Sequence, residues 1–323
     1  MKSMRGLKNK RVFVTGASGF IGANLVRELI KQEASVYALV RKKSNLWRLK
    51  DLFSEVTLLY GDLKEEKKLK SIINKVRPQI IYHLAMPGGY AKDESSRKEA
   101  ILSMVMGTFN LLESLEDIRY ERFIYCASST EYGARNRPLK ETDILRPFTF
   151  RGLVKGAATL LCMQYVLERK RPITILRPFS VYGYWEQPGR LIPMAIKAFI
   201  CNRKIKLTAG SFRHDFIFIE DVVRACLILA QEKKAVGEIF NIGSGRQWAN
   251  RQVIELLERI FGHQVNIIRG AFPARAPDIS CWVADIKKAK KVLGWKPRYS
   301  LEDGLRKTVE WFKLNQKAYI KSK

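Results

Sequence analysis

Short apolar runs and stretches of helical spacing take turns along the first half of this chain. Val12-Phe13-Val14 reads as a buried strand, and Ala23 to Gln32 carries its apolar residues at helical intervals. Strands are predicted again at Ser35–Val40, Val56–Tyr60, Ile80–Ala85, Arg122–Ala127 and Ile173–Leu176. Between them lie helices that end at Val76, run from Glu99 to Leu115, and run from Gly152 to Glu168. Such alternation predicts an α/β fold with a doubly wound parallel sheet covered on both faces. Beyond Arg177 the pattern loosens into helices at Leu191–Cys201, Val222–Gln231, Asn250–Phe261 and Leu301–Asn315, with short strands at Lys206–Leu207, Asp215–Ile219 and Ile239–Ile242. The expected division is a first domain over 1–180 and a smaller α/β domain over 181–323, with segments returning to the first sheet.

The first strand meets its helix through Gly16-Ala17-Ser18-Gly19-Phe20-Ile21-Gly22. Three glycines at this spacing between a strand and a helix form a dinucleotide-binding turn. Gly16 makes the tight turn, Gly19 lets backbone N–H groups approach a pyrophosphate, and Gly22 lets helix and strand come close. The helix N-terminus then offers unpaired N–H groups and the positive end of its dipole to the anion. This makes the first domain Rossmann-type. After the second strand stand Arg41, Lys42 and Lys43, where an NAD site presents an acidic residue to the ribose; a basic cluster suits a 2′-phosphate, so NADP is the expected cofactor.

Charge changes this picture little. The 323 residues carry a formal net charge of +28, which favours anionic ligands, but the lysines are spread among glutamates along the whole chain. They are read as a solvated face or an adaptation to heat or salt, and no specific nucleic-acid partner is expected. Met1 to Lys10 is basic without the apolar segment of a signal peptide, and no run of 18 uninterrupted apolar residues occurs, so no membrane association and a cytoplasmic protein are expected. Cys126, Cys162, Cys201, Cys226 and Cys281 are scattered and read as thiols, and His83, His214 and His263 are too far apart to suggest a metal site.

Taken together, the glycine motif, Asp62, His83-Leu84-Ala85, Gly107-Thr108, Ser128 with Tyr132-Gly133, Arg177-Pro178-Phe179, Asp215-Phe216 with Asp221, and Leu293-Gly294-Trp295-Lys296-Pro297 resemble the extended short-chain dehydrogenase/reductase family. Within it the likeness is to the nucleotide-sugar epimerases, dehydratases and 4-ketoreductases. The resemblance implies a homodimer that binds a nucleotide-diphosphate sugar. It implies that Gly16, Ser18, Gly19, Phe20, Ile21, Gly22, Arg41, Lys42, Asp62, Leu63, Leu84, Ala85 and Lys155 hold the cofactor.

The family's chemistry uses a Ser or Thr and a Tyr-x-x-x-Lys pair. Here Lys155 and Ser128 match, but the tyrosine position holds Arg151, and Met104 stands where relatives often have asparagine. Arginine stays protonated and cannot shuttle a proton at neutral pH. Three readings follow: an oxidoreductase in which Tyr132, Glu131, Ser128 or water moves the proton while Arg151 stabilises charge; a catalytically disabled binding protein with a regulatory or partner role; or an enzyme of a different step. Arg190, Arg213 and Arg275 are the candidate contacts to the substrate, with Ser128 at the reacting hydroxyl and His214 as an alternative match beside Arg213.

Overall fold

A computed structural model describes residues 5–86, 93–208, 212–272, 281–316 and 319. The strands are β1 (Arg11–Thr15), β2 (Ser35–Val40), β3 (Val56–Tyr60), β4 (Ile80–His83), β5 (Arg122–Cys126), β6 (Ile173–Pro178), β7 (Ser180–Tyr182), β8 (Ile205–Thr208), β9 (Arg213–His214), β10 (Phe216–Phe218), β11 (Ile239–Ile242), β12 (Trp248–Ala249) and β13 (Ile267–Phe272). The helices are α1 (Phe20–Lys31), α2 (Glu66–Val76), α3 (Glu94–Ile101), α4 (Gly107–Ser114), α5 (Phe150–Arg169), α6 (Leu191–Ile200), α7 (Ile219–Gln231), α8 (Asn250–Phe261), α9 (Lys287–Leu293) and α10 (Leu301–Leu314).

Among the described residues, seven parallel strands form the main sheet in the order β3-β2-β1-β4-β5-β6-β11. Every residue of β4 and β5 is buried, as a strand covered on both faces must be. Alternate side chains serve opposite faces: Val12 and Val14 pack with α1 and α7, while Phe13 packs with α2, α4 and α5. The strand order reverses between β1 and β4, the place where an open parallel sheet leaves a crevice at its carboxyl edge. The α/β architecture and the smaller C-terminal α/β region are as expected.

The boundaries differ where tertiary geometry intervenes. β4 stops at His83, and the helix expected from Glu99 to Leu115 starts at Glu94 and passes through a π-helical stretch, Leu102–Met106, before α4. β13 pairs with β8, and α9 precedes Trp295; sequence periodicity showed neither element. The N-cap position of α7 is held by Phe218. Asp221 lies within the first turn and clamps the C-terminal segment, accepting from the N–H groups of Arg298 and Tyr299, while its carbonyl accepts from Trp295 Nε1.

Candidate active site at the carboxyl edge of the sheet

Thr15 ends β1 and the chain turns at Gly16 with φ +73°, where a Cβ would stand 2.6 Å from the Ala85 nitrogen. A Cβ on Gly22 would stand 2.1 Å from the Gly16 carbonyl oxygen. Both positions exclude a side chain, and the closeness gained brings the start of α1 up to the sheet edge. The helix N-cap is Gly19, which has no side chain to cap with, so first-turn N–H groups are left for a ligand.

A groove of about 340 Å³ runs from this turn across the crevice. Gly16, Ser18, Gly19, Phe20, Ile21, Gly22, Arg41, Asp62, Leu63, Leu84, Ala85, Met86, Cys126 and Arg151 border it. Twelve of the residues selected from sequence are thus brought together, from the glycines at one end to Arg151 at the other. Asp62 is held by its own turn, its carboxylate accepting from the Lys64 N–H at 3.0 Å. The cradle fits a dinucleotide: small residues at the pyrophosphate turn, an acid at one end, and apolar walls between.

Beneath the groove His83 is fully buried and links three elements. Its Nδ1 lies 2.7 Å from Thr15 Oγ1 and its Nε2 lies 2.9 Å from Thr108 Oγ1. Thr108 donates its own proton to the Met104 carbonyl, so it must accept from Nε2–H, and Thr15 then donates to Nδ1. The ring is therefore a neutral Nε2–H tautomer. Burial, helped by the Lys155 charge, pushes its pKa down to about 3. Met104 is itself buried beside Ala100 and Val154, as a core methionine.

Thr149 caps α5 by accepting from the Gly152 N–H, which sets Arg151 in the first turn at the groove and Lys155 one turn farther in. Lys155 is buried, and its ammonium donates to the Cys126 carbonyl at 2.5 Å and lies 4.9 Å from the Tyr125 ring centre. Burial pushes its pKa down, with the Arg151 charge adding to the effect. Ser128 follows β5, half-buried, and its Oγ accepts from the N–H and the hydroxyl of Thr130. With both lone pairs engaged, the serine proton is left to donate.

Tyr132 and Glu131, named from sequence as groups that move a proton, belong to the interior. The Tyr132 hydroxyl donates to Asn241 Oδ1 at 2.7 Å and accepts from Arg177 at 2.9 Å. Glu131 accepts from Arg177 Nε at 2.9 Å, from Thr159, and from the Ser128 N–H. Burial raises the Glu131 pKa while Arg177, which stays protonated, opposes the rise. None of Tyr132, Glu131, Ser128 and Lys155 borders the groove itself; Ser128 is half-buried beside it, whereas Tyr132 and Glu131 are wholly buried and brace the Ser128 turn.

Arg190 occupies the N-cap position of α6, and His214 sits 3.4 Å from Ser180 Oγ. Burial, with Arg190 adding its charge, pushes His214 down to about 4. Arg213 is exposed at the end of β9 and faces away from these groups' buried surroundings, because alternate residues of a strand point to opposite sides. Asp215 anchors this corner by accepting from Ser244, Gly245 and Ala284; burial lifts its pKa to about 6. Arg275 lies outside the described residues. Sequence reasoning missed Arg48, whose partners are 30 to 139 positions away, and Cys126, whose place at the groove follows from the sheet alone. Among the described residues there is no cluster of metal-ligating side chains, and no helix is long and apolar enough to cross a membrane.

The model of the NAD dependent epimerase/dehydratase family matches residues 12–243. A UDP-glucuronate 4-epimerase of Thermodesulfobacterium geofontis is 31% identical over 313 residues, covering 94% of this chain and 96% of its own. The structure is similar to epimerase Mth375 from Methanothermobacter thermautotrophicus, with a TM-score of 0.90 at 26% identity over 99% of this chain and 96% of that one. It is also similar to the UDP-glucuronic acid 4-epimerase from Bacillus cereus in complex with UDP-glucuronic acid and NAD, with a TM-score of 0.84 at 27% identity over 94% and 99% of the two chains.

The Bacillus cereus complex corrects the expectation of NADP, since it and two further similar structures at 27% identity were solved with NAD. The local geometry gives the reason the basic cluster misled. Arg41, Lys42 and Lys43 are all exposed, and only Arg41 borders the groove. Lys42 adds its charge to the Asp62 N–H and Lys68 in holding Glu65 below its usual pKa, so it answers a surface carboxylate.

Proposed function

Because the chain belongs to the NAD dependent epimerase/dehydratase family, we propose that it uses NAD to epimerise the sugar of a UDP-linked hexose or hexuronate at C4. The generic activity, an NAD(P)-dependent modification of a nucleotide sugar, follows from that membership. The finer reading is supported by the similarity to the UDP-glucuronate 4-epimerases, and the continuous groove from the Gly16 turn and Asp62 to Arg151 supports the dinucleotide part of it. When bound, NAD supplies a hydride acceptor that can return the hydride to the opposite face of the sugar.

The chain's own residues supply the rest. Gly16, Gly19 and Gly22 admit the pyrophosphate to the α1 N-terminus, and Asp62 with Leu63, Leu84 and Ala85 walls the nucleoside. In this reading Arg151 occupies the place of the family's tyrosine. Arg151 and Lys155, one helical turn apart, create a positive field where the C4 hydroxyl oxygen gains charge as its hydrogen leaves. Ser128 donates to that oxygen. The hydroxyl proton leaves to a water at the open side of the groove and comes back when the hydride is returned, so protons and electrons balance over the cycle. Arg190 and His214 face the diphosphate.

The same reading includes a symmetric dimer. Leu153, Leu160 and Leu167 recur every seven residues on α5 with exposures of 49%, 64% and 63%, and Ile101, Leu102, Met106 and Phe109 are exposed on the neighbouring helical segment. A second copy of this face would cover them.

The test is product analysis with NAD and either UDP-glucuronic acid or UDP-glucose, by NMR, for the native protein, Arg151→Ala and Arg151→Tyr. Native turnover that falls by about 100-fold in Arg151→Ala supports an electrostatic role. Turnover that is absent in the native protein and gained in Arg151→Tyr favours the disabled, binding-only alternative.

A further inference from the structure

Arg48 is nearly fully buried, on the segment between β2 and β3, outside the groove and outside every motif of the sequence. Its guanidinium donates in three directions. Nε reaches the Trp185 carbonyl at 2.7 Å, one terminal nitrogen reaches Gln187 Oε1 at 3.0 Å, and the other reaches the Ser18 carbonyl at 3.4 Å. Ser18 belongs to the glycine turn; Trp185 and Gln187 belong to the loop that leads into α6.

That loop is built to be held. Trp185 adopts φ +64°, a left-handed conformation uncommon for a bulky residue, which points to constraint by its surroundings. Its ring lies under the Arg27 guanidinium at 4.4 Å and against Trp47 and Trp311. Asn24 on α1 donates to the Tyr184 carbonyl at 2.9 Å. Two residues past Trp185, the Gln187 carbonyl accepts from the Arg190 N–H at 3.0 Å, and Arg190 is both the N-cap residue that leads into α6 and a charge that acts on His214.

We propose that Arg48 is a positioning residue that couples the two ligand sites, so that closing the glycine turn on a dinucleotide pyrophosphate raises the affinity for the nucleotide sugar. This rests on the NAD and nucleotide-sugar reading above. The physical route is short. A pyrophosphate fixes the backbone of the turn and with it the Ser18 carbonyl; that fixes the guanidinium plane, which in turn fixes the Trp185 carbonyl and Gln187, and hence the start of α6. Only arginine suits the task, because a planar fork can satisfy three fixed acceptors at once whereas an ammonium on a flexible stem cannot. The Ser18 contact is the longest of the three and is the one that a change in the turn alters first.

The experiment is calorimetric titration of the full-length protein with UDP-glucuronic acid, and with UDP as a sugar-independent probe, each with and without saturating NAD. In the native protein NAD should tighten binding of either probe by at least about five-fold, the lower end of ordinary coupling between sites. In Arg48→Lys and Arg48→Met that advantage should fall below about two-fold, while the affinity for NAD alone changes by less than about three-fold. Gln187→Leu, which keeps the arginine and removes one acceptor, should lose part of the coupling, and it decides the matter if the Arg48 variants do not fold. A native protein without coupling, or variants that keep it, would overturn the proposal. Failure of NAD or of both probes to bind the native protein would instead remove the functional reading on which it rests, and the coupling with it.

Discussion

Replacing Arg177 by methionine should destabilise the protein by several kcal/mol, and the cause should be the carboxylate left behind. Arg177 and Glu131 have side chains 2% and 0% exposed and form an ion pair at 2.9 Å. Arg177 also donates to the Tyr132 hydroxyl and lies 4.6 Å from the centre of its ring. Methionine fills much of the volume but leaves Glu131 buried with Thr159 and the Ser128 N–H as its remaining donors. Breaking one side of such a pair costs about 3–5 kcal/mol, which for a chain of this size lowers Tm by roughly 10 °C. The double variant Glu131→Gln, Arg177→Met removes the stranded charge and should regain at least about half of the loss.

The pH dependence has a definite sign. Burial already raises the Glu131 pKa, and without Arg177 the native state holds that proton still more tightly than the unfolded chain. Its stabilisation is fully present below the unfolded carboxyl pKa and is lost as pH rises through the folded value. The Arg177→Met deficit should therefore be smaller near pH 5 than near pH 8. Urea unfolding followed by circular dichroism at both pH values, on both variants, measures each quantity. A single variant within about 1 kcal/mol of the native protein, or a double variant no more stable than the single, would refute the reasoning.

Other outcomes follow from the same geometry. Gly22→Ala drives a Cβ into the Gly16 carbonyl and should weaken NAD binding at least tenfold, about 1.4 kcal/mol, in a calorimetric titration. His83 is buried and neutral with its pKa pushed down to about 3, so the stability it contributes is present above its unfolded pKa and lost as pH falls toward the folded value. Unfolding free energy should drop by about 1.4 kcal/mol per unit below roughly pH 6.5, and His83→Gln should flatten that slope. Leu160→Glu places a charge at the centre of the exposed α5 stripe; if that stripe is the proposed dimer face, sedimentation should show a folded monomer for the variant against a dimer for the native protein.

Much of the fold was legible because its signal is local. Val12 to Gly22 states a strand, a turn and a helix start within a few residues, and the buried runs at Ile80–His83 and Arg122–Cys126 need no context to read as central strands. What failed depends on contacts across the chain. Tyr132 looks the same in sequence whether its hydroxyl meets a substrate or Asn241, 109 positions away. The basic run at Arg41 to Lys43 suggested a phosphate clamp, but spacing does not say which of its members turns toward a groove. Arg48 gave no signal at all, since its three acceptors are two backbone carbonyls and one glutamine brought together by separate loops.

The last strand of the main sheet, β11, enters it only after the chain has left β6 and traversed about sixty residues of other structure. During synthesis, β6 therefore waits with one edge unpaired until Ile239–Ile242 has emerged and found it. A fragment ending near 180 would carry that edge permanently, a row of unsatisfied N–H and C=O groups on an apolar strand, and should associate with itself in the test tube. Cutting the protein between its two regions would thus expose the seam that the later region was needed to close.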